Sequence, residues 1–356
     1  MKLPEKEKNY GYPACRLGVS FYSGWKNLAY ILFLFLPVPV FLCSIFLGTY
    51  PLSPLELIKV LLSHFTAYEY SYPSVYDTVI LNIRFPRVLL AMMVGAALST
   101  SGATFQGIFR NPLVSPYILG LSSGAAFGAA LSISVIPELP VQVGAFIFSL
   151  VALGFSYIMA RTGGQTSTVA LVLSGVITSA VFGALLSIIQ FTTDEKAVQS
   201  IVYWTLGCLH TSHWPKFFDS FPLVAAGCLV IYLLRWKLNV LALGEEEAKA
   251  VGMNVELYKA IFITAASLAA SAAVAVAGII GLVGLIVPHM LRMIFGPDHR
   301  KLIPLSITFG AAFLALVDNV ARSTLGFEIP VGIITTLLGA PFFLYLLRTT
   351  KMVGWE

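Results

Sequence analysis

Charged side chains are scarce in this sequence. Asp, Glu, Lys and Arg make up 11% of its 356 residues, whereas 58% are hydrophobic and the mean hydropathy is +0.86. Soluble globular domains are about a quarter charged, so this composition excludes an ordinary soluble domain. It indicates a chain that lies mostly in lipid, with no room for a large extramembrane domain. We therefore expect an all-α polytopic membrane protein.

The sequence also lacks the residue patterns of catalysis. It contains no G-x-x-x-x-G-K-[ST] phosphate-binding loop. Its five histidines and four cysteines are dispersed, without the spacing of a metal site or a disulfide framework. The net charge of +5 is spread over loops rather than gathered into a basic patch. We expect no catalytic residue, no metal site, no cofactor and no nucleic-acid partner.

Long apolar stretches are what the sequence does contain, and a spanning helix needs about 20 such residues. Ten can be marked, at residues 28–48, 88–108, 115–136, 141–160, 168–190, 217–236, 258–278, 282–295, 303–321 and 329–348. The stretch at 282–295 is too short to cross the membrane upright. Residues 52–65 have an amphipathic pattern that predicts a helix along the membrane surface. The remainder is a predicted cytoplasmic N-terminal tail (1–27), a membrane domain (28–348) and a cytoplasmic C-terminal tail (349–356).

The distribution of basic residues predicts the orientation. With the N-terminus inside, the basic residues on the outer side are Lys59, Arg84, Arg87, Lys196, Lys216 and Arg322. The other 16 of the 22 Lys and Arg residues then fall on the cytoplasmic side. Because cytoplasmic loops are enriched in Lys and Arg, both termini are expected to be cytoplasmic.

Two arginines flank a proline directly before the second apolar stretch. Pro86 suits the first turn of a helix, and Arg84 and Arg87, three residues apart, share one helix face. Their predicted position on the outer side runs against the usual distribution of basic residues. Two interpretations remain open: anchoring of the helix end among lipid headgroups, or contact with a partner.

A second motif interrupts the chain between the second and third stretches. Pro112 and Pro116 follow Arg110 and Asn111 closely, which breaks the helix. Non-helical backbone at membrane depth is tolerated only inside protein or beside a water-filled cavity. An ordinary tight cytoplasmic turn is equally consistent with this pattern.

A third motif, at residues 243–253, is too polar to enter the membrane. Its three consecutive glutamates favour the positive end of a helix dipole, and Gly252 suits a left-handed helix stop. The motif predicts a short cytoplasmic helix bounded by Gly244 and Gly252. Such a helix is either part of a solvent-exposed loop or a rigid docking element that another protein binds.

Five motifs together carry a family resemblance. They are R-x-P-R from Arg84, N-P-L-x-x-P from Asn111, L-G-x-x-x-A-x-x-x-G from Leu243, G-L-x-x-P-H-x-x-R from Gly284 and P-x-G-x-x-T from Pro330. In this order and spacing the chain resembles the FecCD-type family of ABC importer permeases, from about residue 28 to residue 348. The departures are Phe85 and Val251, where leucine is usual, and Ser115, where an acidic residue is common.

This resemblance implies the type II importer permease fold and a homodimer in the cytoplasmic (inner) membrane. It implies two ABC ATPase subunits on the cytoplasmic face and a substrate-binding protein outside. ATP hydrolysis would then belong to a separate chain. The implied cargo is a metal-chelate such as a ferric siderophore, haem or cobalamin. Molybdate or another oxyanion is the alternative within the same family.

The resemblance and the predicted orientation together assign roles to residues. The residues predicted to dock the external binding protein are Arg84, Arg87 and Arg322. The residues predicted to couple to the ATPase are Gly244, Glu245, Glu246, Glu247, Ala248 and Gly252. The residues predicted to form the inner gate are Asn111, Leu113, Ser167 and Thr168, because both loops are short, polar and cytoplasmic.

A secondary transporter is the competing class, since such proteins also contain broken helices. They usually carry an intramembrane carboxylate for ion coupling. Asp318 is the clear candidate for that carboxylate, and its spacing predicts a pair with Arg322 four residues later.

Overall fold

The computed structural model describes residues 16–48, 50–65, 70, 72–163, 165–323 and 328–349. Its elements are α1 (Arg16–Phe35), α2 (Pro37–Phe46), α3 (Pro54–Phe65), α4 (Val75–Asp77), a π-helical segment (Thr78–Arg84), α5 (Phe85–Phe109), α6 (Leu121–Ser134), α7 (Val141–Ala160), β1 (Arg161–Thr162), β2 (Gln165–Thr166), α8 (Thr168–Thr192), α9 (Glu195–Thr205), α10 (Trp214–Leu243), α11 (Glu245–Ala250), α12 (Val255–Ala277), α13 (Val283–Phe295), α14 (His299–Ser323) and α15 (Val331–Thr349). The predicted all-α class is confirmed. Most of the two predicted tails lies outside the described residues, and α1 already begins at Arg16.

Helix length tests the predicted number of spans. Six helices in the described part of the chain are long and apolar enough to cross a membrane. The end of α1 and all of α2 form a pair bent by 42°, which would make a seventh span. The bend falls at Pro37, which lacks the N–H that would continue the α1 ladder. Every predicted stretch overlaps a helix, but α6, α13 and α15 are shorter apolar helices, so the count of ten stays a prediction.

Small residues bring the most buried helices into close contact. Helices α5 and α14 run antiparallel with Gly95 against the backbone of Gly310, and the Ser99 hydroxyl donates to the Ser306 carbonyl over 2.5 Å. On the other side of α5, the Ser101 hydroxyl donates to the Ala266 carbonyl of α12 over 2.7 Å. In lipid, close backbone approach and interhelical hydrogen bonds drive helix packing. The Gly, Ala and Ser content of these helices therefore places α5, α12 and α14 at the centre.

The peripheral helices α7, α8 and α10 bury only a minority of their residues and expose apolar side chains. Phe191 on α8 is 92% exposed, and Leu229 on α10 is 56% exposed. Such surfaces suit lipid or a second copy of the chain, but not water.

The packing brings distant motifs together at two ends of the bundle. At one end lie the start of α5, the end of α14 and the end of α2, where Arg87 donates to Asp318 and Asn319 donates to Ser44. At the other end lie α11, the β1–β2 hairpin and the start of α12. The charge distribution predicts that the first end is the outer one and the second the cytoplasmic one, and this orientation stays a prediction.

Candidate functional site

The short helix α11 protrudes between two long helices and is bounded by glycines. Gly244 has φ 142° and Gly252 has φ 79°, backbone conformations that glycine adopts without strain. Ala248 is fully buried, and its carbonyl accepts the Met253 N–H over 3.0 Å. The predicted helix and its glycine boundaries are confirmed. Its role in coupling stays a prediction.

The exposed side of α11 is charged. Glu246 and Glu247 are exposed, and Lys249 donates to Glu246 over 3.0 Å. This hydrogen bond and the Glu246 charge raise the pKa of Lys249, so the lysine is protonated at neutral pH. A partner would therefore meet a rigid helix with both charge signs on its surface.

A cavity of about 440 Å³ lies beside α11, between the end of α10 and the start of α14. On its wall, Asn239 donates to Asp298 over 2.6 Å and accepts the His299 N–H over 2.8 Å. Burial alone would raise the pKa of Asp298, but the Arg300 N–H and the Asn239 amide outweigh it and lower that pKa. The carboxylate therefore stays ionised at neutral pH and fixes the loop that precedes α14.

The inner side of α11 is fastened to the rest of the protein by a lysine. Lys259, in the second turn of α12, is 2% exposed and donates to Glu245 over 2.5 Å. Sequence reasoning counted Lys259 only as a cytoplasmic charge. Its spacing from Glu256, three residues earlier, was the one local signal of an ion pair.

The loop predicted to carry one half of the gate is folded on itself. Asn111 accepts the Leu113 N–H over 2.9 Å, and both residues are exposed. The loop packs against the G-L-x-x-P-H-x-x-R motif, which begins at Gly284. The Pro116 ring lies against Gly284, and the Tyr117 hydroxyl donates to the Ile280 carbonyl, just before the motif, over 2.8 Å. Two motifs more than 150 residues apart therefore form one unit.

The other half of the predicted gate lies where the hairpin leads into α8. Ser167 is the N-cap residue of α8 and is exposed, and Thr168, partly buried, is the first residue of the helix. Thr166, directly before them, is buried and bound to Glu256 of α12. The predicted gate residues thus directly follow a hairpin that is bound to α12, and their role stays a prediction.

The three arginines predicted to dock a binding protein lie inside the protein. Arg84, Arg87 and Arg322 are 3%, 6% and 4% exposed. Arg84 donates to the carbonyls of Ile45 and Tyr50 over 2.8 and 2.6 Å, which caps the end of α2. Sequence reasoning missed these acceptors because a backbone carbonyl has no sequence signature.

The other two arginines share one carboxylate. Arg87 donates to Asp318 through two nitrogens and reaches Glu328 over 2.8 Å. Arg322 lies 3.7 Å from Asp318, which confirms the predicted i,i+4 pair, and donates to the Ser44 carbonyl over 2.6 Å. The docking role stays a prediction.

Comparison with known proteins agrees with this architecture. The model of the FecCD transport family matches residues 33–349. The chain belongs to this family. It is 42% identical over 286 residues to the cobalamin import system permease protein BtuC of Halobacterium salinarum, covering 80% of this chain and 77% of that protein. It is 40% identical over 316 residues to the molybdate import system permease protein MolB of Haemophilus influenzae, covering 87% and 92% of the two chains.

A solved structure supports the same assignment. A metal-chelate type ABC transporter in an inward-facing conformation matches 91% of this chain and all of its own chain, with a TM-score of 0.81 and 35% identity. The protein is thus a multi-pass membrane permease of the FecCD family, with the fold that the sequence motifs implied.

Proposed function

We propose that this permease works as a homodimer in the cytoplasmic membrane, with two ABC ATPase chains on its cytoplasmic face and a substrate-binding protein outside. The proposal rests on the structure of α11. This helix is bounded by glycines, its exposed side is charged, and Glu245 on its other side is bound by Lys259 of α12. A helix of six residues cannot fold alone, so its geometry depends on the membrane domain. A partner that displaces α11 would displace the elements attached to it.

Alternating access would follow from that displacement. In a homodimer, the loop with Asn111 and Leu113 and the start of α8 with Ser167 and Thr168 would face their copies near the two-fold axis. The exposed apolar face of α8, including Val169 and Leu173, gives a second copy a surface to cover. ATP binding in the partner chains would open or close this inner gate.

The cargo class that we propose is a metal-chelate. Helix α8 carries no charged residue over its 25 residues, so a pathway beside it offers no cation to a small oxyanion. A large chelate, which encloses its metal ion in organic ligands, offers apolar surface and depends less on such a cation. The solved neighbour is described as metal-chelate type and one relative as a cobalamin permease, which supports the same choice. Because one relative is a molybdate permease, an oxyanion remains the alternative cargo, and the experiment below distinguishes it from a metal-chelate.

The experiment is uptake by the permease reconstituted in liposomes with its ATPase and binding protein. We expect ATP-dependent uptake of a ferric siderophore, haem or cobalamin. The matched control is an ATPase chain whose catalytic glutamate is replaced by glutamine. Uptake of molybdate alone would overturn the metal-chelate assignment. Uptake that persists with the inactive ATPase and stops with a protonophore would overturn the ABC importer itself.

The position of Asp318 argues against ion coupling. A carboxylate that carries a coupling ion lines the pathway that the ion follows. Asp318 is fully buried, with Arg87 at 2.9 Å and Arg322 at 3.7 Å. We therefore infer that this carboxylate is an internal counter-ion of two arginines rather than an ion carrier.

A further inference from the structure

Lys259 is a buried lysine whose contacts come from three separate elements. Its Nζ donates to Glu245 of α11 over 2.5 Å and to the Thr166 carbonyl of the hairpin over 3.0 Å. It also lies 3.5 Å from Glu256 of its own helix. An ammonium group has three N–H donors; two of them make these hydrogen bonds, and Glu256 adds a second carboxylate beside the charge.

The hairpin is held from a second direction by the same turn of α12. Glu256 Oε2 accepts the Thr166 N–H over 3.1 Å and the Thr166 hydroxyl over 2.7 Å. Thr166 therefore has its carbonyl, its amide and its hydroxyl bound by residues at the start of α12. The two residues that follow it are Ser167 and Thr168, where the predicted gate begins.

Burial of a lysine makes this arrangement informative. A charge at 2% exposure is unfavourable unless carboxylates and hydrogen bonds compensate for it, and an apolar side chain could fill the same volume without that cost. An apolar side chain cannot donate hydrogen bonds. The Lys259 ammonium group donates to one oxygen of α11 and one oxygen of the hairpin, and it thereby fixes their relative positions.

We propose that Lys259 is the positioning residue that transmits movement of α11 to the hairpin and the start of α8. The inference rests on the proposed function, in which α11 meets the ATPase and α8 carries the gate. The path contains two direct links, from Glu245 to Lys259 and from Lys259 to Thr166. A shift of α11 is therefore passed through the Lys259 side chain to Thr166, the residue next to Ser167.

The test compares Lys259→Met with Lys237→Met in the complete permease–ATPase complex. Lys237 belongs to α10 and also contacts α12, with its ammonium 4.9 Å from the Tyr258 ring. In Lys259→Met we expect ATP hydrolysis to continue while transport falls by about tenfold, the size of a typical coupling between sites. In Lys237→Met we expect both rates to stay within about twofold, as for most surface substitutions.

A second readout separates transmission from simple stabilisation. Cysteines at Ser167 of both protomers, in a chain otherwise free of cysteine, should crosslink to an extent that depends on nucleotide. In the Lys259→Met background the crosslink should no longer respond to nucleotide. Should Lys259→Met fail to assemble, Glu245→Ala removes the link between α11 and Lys259 and leaves Lys259 bound to Thr166. In an assembled complex this variant should also weaken the response of the crosslink to nucleotide, and an unchanged response would overturn the inference.

The outcomes distinguish the inference from the proposed function. If the unmodified complex shows no ATP-driven transport, the proposed function and the inference are both overturned. If the unmodified complex transports, and the lysine variant transports equally well with an unchanged nucleotide response, the inference alone is overturned. Loss of thermal stability in Lys259→Met with a normal ratio of transport to hydrolysis would likewise reduce Lys259 to a structural contact and overturn it.

Discussion

Arg87 and Asp318 form a buried ion pair between the start of α5 and the end of α14. Two guanidinium nitrogens contact the carboxylate at 2.9 to 3.2 Å, and the two side chains are 8% and 1% exposed. Asp318 also faces Arg322, so one carboxylate serves two guanidinium groups. The geometry fixes the ends of two central helices against each other.

Asp318→Asn should destabilise the permease strongly. The amide keeps the shape of the side chain but leaves Arg87 and Arg322 without their shared negative charge. Removing one partner of a buried pair costs about 3–5 kcal/mol. We expect the apparent midpoint of thermal unfolding of the purified protein in detergent to fall by about 5–10 °C.

The control for this variant is Glu328→Gln. Glu328 contacts the same Arg87 over 2.8 Å, but its side chain is 38% exposed. Exposed pairs contribute about 0–1 kcal/mol, so this variant should melt within a few degrees of the unmodified protein. Equal unfolding midpoints for the two variants would show that burial of the Arg87–Asp318 pair adds nothing to the stability of the permease.

Local sequence patterns predicted this cluster only in part. The spacing of Asp318 and Arg322 predicts their pairing because residues four apart are neighbours on a helix. The pair between Arg87 and Asp318 joins residues 231 positions apart and depends on which helices pack together, which no local pattern contains. The same holds for Lys259 and Thr166. By contrast, the two ends of α11 were predictable from local sequence. A glycine ends a helix and acidic residues stabilise its first turn through interactions with residues close to them in the chain.

The number of spans shows another limit of sequence reasoning. Hydropathy finds apolar stretches and predicted ten of them, each of which overlaps a helix. It cannot show whether a stretch such as 282–295, with Pro288 inside α13, crosses the bilayer or turns within it. Helix length depends on tertiary packing, and the bend at Pro37 depends on a single missing N–H, and an average of hydropathy over a window records neither.

Gly95→Ala should weaken the packing of α5 against α14. A methyl group at this position would overlap the Gly310 carbonyl oxygen and crowd Leu314. Overpacking a tight contact costs about 1–3 kcal/mol. The control is Gly154→Ala on α7, where an added Cβ meets nothing within 4 Å. That variant should be neutral or stabilise the helix by up to about 1 kcal/mol. If both variants melted alike, close contact at Gly95 would not contribute to stability.

Gly252→Val should uncouple ATP hydrolysis from transport. Gly252 has φ 79°, and the left-handed conformation costs about 1–2 kcal/mol for residues with a Cβ, with branched side chains worst. No atom lies within 4 Å of the added Cβ, so the effect acts on the backbone of the α11 boundary rather than on packing. Gly252→Asn is the matched control, because Asn tolerates this conformation. Normal transport by the valine variant would argue that α11 needs no fixed boundary.

A cysteine at Ser167 in each protomer should form a disulfide crosslink in at least one nucleotide state. Ser167 is exposed at the start of α8, where the proposed homodimer brings two copies together. The endogenous cysteines are first replaced by serine. A cysteine at Leu229, on the exposed face of α10, controls for collisions between separate dimers in the membrane. Absence of the Ser167 crosslink in every state would remove this residue from the gate.

The docking role of the outer arginines is best tested at Arg84 with a neutral substitution. A carboxylate at position 87 would face Asp318 and Glu328, so charge reversal there would test folding rather than docking. In Arg84→Gln the amide can still donate to one carbonyl at the end of α2, while the positive charge is lost. If Arg84 contributes to docking, affinity for the binding protein should fall by up to about fivefold, which corresponds to a contribution of about 1 kcal/mol.

The salt dependence of association gives the second arm of this test. A charge that steers a partner acts mainly on the association rate and is screened by salt. The difference between Arg84→Gln and the unmodified permease should therefore shrink as salt is added, while ATPase binding stays the same. The rival role, in which Arg84 only caps α2, predicts a lower melting midpoint with unchanged affinity at every salt concentration. Because Arg84 is buried against three backbone carbonyls, this outcome would assign it wholly to the structure of the outer face.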